Sequence, residues 1–233
     1  MEGFAVPAPT EIHVRYRSLE ISDAEREALF ALLDSEERQR AGRFRFESSR
    51  DAFIASHGWL RAVLGRYLNA DPRSIEFTSG KRGKPALQGT PLQFNLSHSG
   101  AMAACAVARS EEVGIDIEKI RPMSDLERVA QRFFHPEESR KLLALREEDR
   151  VPAFFRCWTR KEAYIKALGD GLFAPLDRFE VTLAPGEPVA FVNIDGRPGA
   201  EWSLLGLDVG PDYTGAVAIR GTDWVVRTMG AIV

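Results

Sequence analysis

The chain has 233 residues, of which 44% are hydrophobic and 28% are charged, which is typical of a folded globular protein. Its formal net charge of −3 argues against broad electrostatic binding to nucleic acid, which usually needs a strongly basic domain. No run approaches the roughly 20 apolar residues of a membrane span, and residues 1–9 lack the pattern of a secretory signal, so we expect a cytoplasmic protein. Cys105 and Cys157 belong to no CxxC or Cys/His array, and we interpret both as buried packing residues.

The first third of the sequence is predicted to be helical. Ser22 and Asp23 are suitable caps for a helix that ends near Leu33. A longer pattern over residues 48–68 places large apolar side chains at helical spacing, which indicates a face turned to a core. Short strands are predicted to follow, separated by glycine and proline. They cover residues 75–78, 93–96 and 101–108.

The same order of elements begins again at Val113. A strand to about residue 120 precedes helices near 125–134, 136–146 and 151–168, and further strands are predicted towards residue 233. Separate groups of helices and strands favour an α+β fold. We therefore divide the chain into an N-terminal half, residues 1–112, and a C-terminal half, residues 113–233, although no residue-level repeat is visible.

The segment VGIDIE at 113–118 alternates apolar residues with Gly114, Asp116 and Glu118. In a strand this alternation puts both carboxylates on one face. Taken alone, the pattern is typical of an amphipathic strand whose polar face is exposed to solvent. The alternative is a cation site, since magnesium prefers a few carboxylate oxygens together with substrate phosphate.

The segment 158–168 has good helix formers and is followed by Gly169, a typical helix stop. Trp158, Glu162 and Lys166 share one face of that helix. An ordinary surface Glu–Lys pair explains the spacing by itself. If Glu162 instead lay close to Asp116 and Glu118, the three carboxylates would form a magnesium site. The lysine one turn further along the helix would lie beside that site.

Two loops add groups that can bind phosphate. Lys84 lies in a basic turn, and residues 95–100, NLSHSG, place two hydroxyls and His98 after an apolar strand. Exposed basic turns and loop histidines are common, so each has a plain surface interpretation. The arginines at 38, 40, 43 and 45 form a further basic stretch that is consistent with a charged helix face.

Together these segments resemble the 4'-phosphopantetheinyl transferases of the larger, surfactin-synthetase-activating type. The motifs that carry the resemblance are GKP at 83–85, FNLSHSG at 94–100, GIDIE at 114–118 and WTRKEAYIK at 158–166. The resemblance spans roughly residues 30 to 185, and four motifs in the same order are far more specific than any one alone. It outweighs the plain interpretation of each segment.

The resemblance implies two similar α/β halves in one chain, related by a pseudo-two-fold axis, with the active site in the cleft between them. It implies a monomer, because the short type of the superfamily builds its cleft between separate chains. It also implies roles for particular residues. The magnesium ligands are Asp116, Glu118 and Glu162, the phosphate-binding lysine is Lys166, and the residues that hold coenzyme A are Lys84, Ser97, His98, Arg50 and Arg43.

The implied reaction is attack by a serine hydroxyl of an acyl or peptidyl carrier protein on the β-phosphorus of coenzyme A, with release of 3',5'-adenosine bisphosphate. Glu162 is the candidate base. The segment from Arg121 to Pro136 is expected near the docking surface of the carrier protein, with Phe133 and Phe134 either exposed there or part of the core. Two rivals are a non-catalytic module that binds coenzyme A and a metal-dependent phosphohydrolase.

Overall fold

The computed structural model describes residues 3–80, 83–169 and 175–230. The helices are α1 (Asp23–Leu32), α2 (Ser35–Ala41), α3 (Glu47–Leu68), α4 (Leu126–Phe133), α5 (Pro136–Ala144) and α6 (Glu147–Leu168). The strands are β1 (Glu11–Ser18), β2 (Phe77–Ser79), β3 (Pro85–Leu87), β4 (Leu92–Ser99), β5 (Met102–Arg109), β6 (Val113–Lys119), β7 (Phe179–Val181), β8 (Phe191–Ile194), β9 (Trp202–Leu207), β10 (Tyr213–Arg220) and β11 (Val225–Met229). This mixture confirms the α+β prediction. Within the described ranges, no helix has the length and apolar character to cross a membrane.

Two main sheets organise the strands. The first has the order β11-β1-β5-β4 and the second the order β6-β10-β9, while β2-β3 and β7-β8 form small hairpins. Strand β1 was not predicted from the sequence, which was interpreted as helical throughout its first third. Its sequence does alternate Ile12, Val14 and Tyr16 with polar residues, which is a strand signal that the helical interpretation passed over. Both faces of β1 are buried, and the polar residues His13 and Arg15 are buried with the apolar ones.

Each main sheet packs its own long helix on one face. Helix α3 shares a core with β4 and β5, and α6 shares a second core with β10. A third cluster joins the opposite faces of the two sheets. Its members are Ile12, Val14, Ala104, Ala106, Ala108, Val113, Ile115, Ile117, Val217, Ile219 and Trp224. The layers are therefore helix, sheet, sheet, helix.

The two long helices end alike. Asn69 follows the last residue of α3 and Gly169 follows the last residue of α6, and both capping residues have positive φ values, of 49° and 70°. Helix α6 begins at Glu147, four residues before the predicted start at residue 151. The acidic residues of its first turn interact favourably with the positive end of the helix dipole at the N-terminus. The pseudo-two-fold relation and the boundary at 112/113 remain predictions. Strand β11, from the C-terminal half, lies in the first sheet beside β1.

A buried ion pair joins α5 to α6. Lys161 Nζ lies 2.7 Å from Glu138 Oε2, and neither side chain reaches solvent. The ammonium also donates to the carbonyl oxygens of Leu176 and Phe179, both at 2.7 Å. Glu138 accepts from the backbone N–H of Val181 at 2.7 Å. Because every donor of the lysine has an acceptor, the pair is accommodated despite its burial.

Both cysteines are fully buried, which confirms their interpretation as packing residues. Burial raises the pKa of Cys105 to about 12. It also raises the pKa of Cys157 well above its usual value. Thiols in such surroundings stay protonated at neutral pH and are poor nucleophiles.

Candidate active site

Strand β6 presents its acidic residues to α6. Its apolar residues, such as Ile115 and Ile117, lie in the cluster between the two sheets. The alternate residues therefore face the other way, towards the helix. Gly114 makes the approach close, since a Cβ atom built on it would lie 2.0 Å from the carbonyl oxygen of Ala163. The absence of a side chain at this position lets the strand touch the helix backbone.

Asp116 and Lys166 form the centre of the site. Lys166 Nζ lies 2.7 Å from Asp116 Oδ1 and 3.1 Å from Ser97 Oγ. The Ser97 hydroxyl donates to the same Oδ1 atom at 2.9 Å. Asp116 is only 5% exposed. Burial raises the pKa of Asp116, and the Lys166 ammonium and the Ser97 hydroxyl act in the opposite direction.

Glu162 lies on the same face of α6, one turn before Lys166, and is 9% exposed. Burial raises its pKa, and the negative charges of Asp116 and Glu118 raise it further. The three acids are therefore close enough to repel one another. Two buried oxygens, Asp116 Oδ2 and Glu162 Oε1, have no hydrogen-bond partner among the described residues. Such acceptors are costly to bury and suit a cation.

The acids are not arranged as a preformed metal cage. In the described part of the chain, no group of three or more His, Cys, Asp or Glu side chains has the geometry to hold a metal ion. The Lys166 ammonium instead supplies the positive charge next to Asp116. The donor set still fits magnesium, because the unpartnered oxygens belong to carboxylates on two facing elements.

Glu118 is held by two donors. The Ser99 hydroxyl donates to Glu118 Oε2 at 2.5 Å, and Arg121 Nη1 lies 3.4 Å from the same oxygen. Sequence reasoning gave Ser99 no role of its own. The alternation of polar side chains along β4 does indicate that Ser99 shares a face with Ser97, but this pattern does not reveal which strand lies opposite that face.

Comparison with known proteins identifies the family. The family model described as "4'-phosphopantetheinyl transferase superfamily" matches residues 112–218, and "4'-phosphopantetheinyl transferase, N-terminal" matches residues 20–110. The 4'-phosphopantetheinyl transferase HetI of Nostoc sp. is 42% identical over 218 residues, covering 92% of this chain and 90% of HetI. The 4'-phosphopantetheinyl transferase Sfp of Bacillus subtilis is 35% identical over 215 residues, covering 92% and 94%.

The chain belongs to the 4'-phosphopantetheinyl transferase superfamily. Enzymes of this family transfer phosphopantetheine from coenzyme A to carrier proteins. The family, the type and the activity predicted from the sequence are thereby confirmed.

Besides Ser97, which donates to Asp116, two of the predicted coenzyme A residues of this transferase lie beside β6 or its acids. Lys84 Nζ donates to Glu112 Oε2 at 2.6 Å and to the carbonyl oxygen of Val113, the first residue of β6, at 3.0 Å. Partial burial lowers the pKa of Lys84. His98 reaches solvent, but partial desolvation lowers its pKa, and the nearby His57 and Lys166 act in the same direction.

The two predicted arginines lie after α2 and near the start of α3. Arg50, near the start of α3, lies 2.8 Å from Glu47 and 3.3 Å from Asp51. It lines a pocket of about 310 Å³ between α1, α2 and α3. Arg43 follows α2 and donates to Gln39 Oε1 at 2.8 Å. None of these contacts joins either arginine to Asp116, Glu118 or Glu162, so their part in binding stays a prediction.

The aromatic pair at 133–134 divides between surface and core. Phe134 is 2% exposed and stacks on Phe154 with ring centroids 5.1 Å apart. Phe133 is 38% exposed and lies beneath Arg132, whose guanidinium is 5.2 Å from the ring centroid. Only Phe133 is therefore available to a partner protein.

Proposed function

We propose that this transferase acts between β6 and α6 and that a magnesium ion is held there by Asp116, Glu118 and Glu162. The observation that carries the proposal is a pair of buried carboxylate oxygens, Asp116 Oδ2 and Glu162 Oε1, that receive no hydrogen bond from the residues that the structure describes. A divalent cation would satisfy both oxygens and offset the burial and the repulsion between carboxylates that together raise the pKa of Glu162. It would also leave coordination positions for substrate phosphate.

Lys166 is proposed to bind the phosphate oxygens of coenzyme A. Its ammonium now neutralises Asp116, and a cation at the acids would release it towards the substrate. Lys84 is proposed to act similarly at the start of β6, where it would exchange its contact with Glu112 for one with a phosphate. The remaining contacts proposed for coenzyme A come from Ser97, His98, Arg43 and Arg50. Such charge neutralisation is the main contribution that proteins make to phosphoryl transfer.

The proposed reaction forms a bond between the serine oxygen of the carrier protein and the β-phosphorus of coenzyme A. The bond from that phosphorus to the bridging oxygen breaks, and 3',5'-adenosine bisphosphate leaves. Bound magnesium would supply Lewis-acid stabilisation of the pyrophosphate charge. Glu162 is proposed to accept the serine proton, directly or through water, because it lies one turn from Lys166 on the same face of α6.

The docking surface proposed for the carrier protein lies on and next to α4. Phe133 supplies an exposed aromatic ring, and Arg121, Arg128 and Arg132 supply positive charge. Acyl and peptidyl carrier proteins are typically acidic helical bundles, so complementary charge would orient them. We propose that a monomer binds one carrier protein in this way.

The test is mass spectrometry of apo carrier proteins incubated with coenzyme A and magnesium. The wild-type chain should add phosphopantetheine to a serine, and chelation of the metal should stop the addition until magnesium is restored. Asp116→Ala and Glu162→Ala should each abolish the adduct. Glu111→Ala, which removes an exposed acid before β6, serves as the matched control and should load normally. Full activity of either site variant would refute the assignment of the acids.

A further inference from the structure

Strands β4 and β6 run side by side although they belong to different sheets. In the described sheets, no backbone ladder pairs them. Side chains of β4 fill the gap and accept hydrogen bonds from the backbone of β6. The acceptors are Asn95 Oδ1 for the N–H of Ile115 at 2.9 Å, Ser97 Oγ for the N–H of Ile117 at 3.3 Å and Ser99 Oγ for the N–H of Lys119 at 3.1 Å.

The two hydroxyls in this row have a defined proton direction. A serine hydroxyl has one proton to donate and two lone pairs to accept with. Ser99 accepts from the N–H of Lys119 and lies 2.5 Å from Glu118 Oε2, so its proton must point to the carboxylate. Ser97 accepts from Ile117 and donates in the same way to Asp116. Each serine therefore connects β4 to β6 through a backbone N–H. It also donates to the carboxylate of the preceding residue in β6, which is Asp116 for Ser97 and Glu118 for Ser99.

The consequence for the acids is that one oxygen is fixed and the other is left for another ligand. In Asp116, Oδ1 takes the contacts with Ser97 and Lys166, while Oδ2 is buried with no partner among the described residues. In Glu118, the described contacts with Ser99 and Arg121 both go to Oε2. Fixing one oxygen by a hydrogen bond is how the surroundings of a metal site orient its ligands.

Asn95 provides an internal comparison. It makes the same kind of contact to β6, but the residue before its N–H partner is Gly114, which has no carboxylate to hold. Asn95 thus joins the strands without positioning an acid. A purely structural role for the row predicts similar effects at Asn95 and Ser99, whereas a positioning role predicts an effect on metal binding only at the serines.

We propose that Ser99 is a positioning residue for Glu118, and that Ser97 does the same for Asp116, in the transferase reaction. The proposal rests on the function proposed above, since it concerns the same magnesium site. Ser99 is the better residue to test. It lies at the end of β4, where its N–H partner Lys119 is exposed, and loss of its hydroxyl leaves no buried donor unpaired.

The experiment is titration calorimetry of the full chain with magnesium alone, without coenzyme A. Ser99→Ala should bind magnesium about 10-fold more weakly, a loss typical of residues that orient metal ligands. Ser99→Thr, which keeps the hydroxyl, should bind within about twofold of wild type. Asn95→Ala should lower the melting temperature but leave the magnesium affinity of the folded protein unchanged. If Ser99→Ala does not fold, Ser99→Cys, whose thiol is a weak donor, should weaken binding in the same direction.

Loading assays supply a second measurement. In Ser99→Ala, the magnesium concentration for half-maximal loading should rise about 10-fold, with the rate at saturating magnesium within about twofold of wild type. Equal magnesium affinity in Ser99→Ala and wild type would overturn the positioning role while leaving the proposed function intact. A wild-type chain that loads carrier protein without binding magnesium would overturn the metal site and this inference together.

Discussion

Gly114 and Ala163 are in direct contact through their backbones. A Cβ atom on Gly114 would lie 2.0 Å from the carbonyl oxygen of Ala163 and 2.3 Å from the backbone nitrogen of Ala167. No side chain fits between the strand and the helix at this point. The distance between β6 and α6 is thereby set by the glycine, and this distance brings Asp116 and Lys166 together.

Gly114→Ala should therefore damage both stability and activity. The added methyl must push β6 away from α6, which we expect to lower the free energy of unfolding by about 1–3 kcal/mol, as for other overpacked cores. The folded fraction should also load carrier protein more slowly. Gly42→Ala is the control, because Gly42 has an ordinary helical conformation and its nearest neighbour would be 3.6 Å from the new atom. Denaturant unfolding and loading rates check both variants, and a Gly114→Ala protein as stable as wild type would contradict the close contact.

Glu162→Gln should make the protein more stable and inactive. The folded pKa of Glu162 is raised, so its protonated form stabilises the fold below the unfolded pKa of about 4.3, and this contribution is lost as the pH rises through the folded value. At neutral pH without magnesium, the ionised Glu162 carboxylate destabilises the fold. The Gln side chain carries no charge and therefore avoids this destabilisation. We expect the melting temperature to rise by about 2–4 °C, or about 1 kcal/mol in a chain of this size.

The pH dependence separates this explanation from a general effect of the substitution. The difference in melting temperature between Glu162→Gln and wild type should be largest near pH 8 and should shrink near pH 4, where Glu162 is protonated in the folded state and mostly protonated in the unfolded state. Loading by wild type should fall with decreasing pH while most surface carboxylates are still ionised, since metal ligands must lose their protons. A difference that does not vary with pH would contradict the raised pKa.

Breaking the Glu138–Lys161 pair should destabilise the C-terminal half. Removal of one partner leaves a buried charge, so Glu138→Gln or Lys161→Met alone should cost about 3–5 kcal/mol. The double variant Glu138→Gln with Lys161→Met should cost less than the sum of the two, because neither charge then remains. Chemical denaturation of the four proteins measures the coupling. Additive losses would show that the pair contributes no interaction of its own.

Phe133 and Phe134 should respond differently to replacement. Phe134→Ala removes a ring packed in the core and should cost about 3–5 kcal/mol of stability. Phe133→Ala should leave stability within about 0.5 kcal/mol, as for other surface positions. If α4 contacts the carrier protein, Phe133→Ala should raise the KM for that protein and leave the KM for coenzyme A unchanged. An unchanged KM for several carrier proteins would place the docking surface elsewhere.

The sequence predicted the elements whose signals are local. The apolar stripe over 48–68 corresponds to α3 (Glu47–Leu68), and the alternation that starts at Val113 corresponds to β6. Gly169 ends α6 as expected. These signals depend on periodicity and on capping, both of which lie within a few residues of the element concerned.

Contacts between distant segments could not be read in the same way. Nothing in the spacing of Ser99 shows that its hydroxyl meets Glu118, and Lys161 gave no sign of its pairing with Glu138. Strand β1 was missed although Ile12, Val14 and Tyr16 alternate with polar residues, and that pattern does not show that Arg15 is buried or that β11 lies beside the strand. The resemblance to a family supplied the acidic residues, but it did not supply the partners that hold them.

The pairing of β1 with β11 makes the first sheet depend on a late part of the chain. Until residues 225–229 have been synthesised, one edge of β1 has no neighbour, although its other edge can already pair with β5. An open strand edge is a site for unwanted association between chains. A polypeptide that stops before β11 should therefore accumulate as aggregates, even though every proposed catalytic residue has already been made.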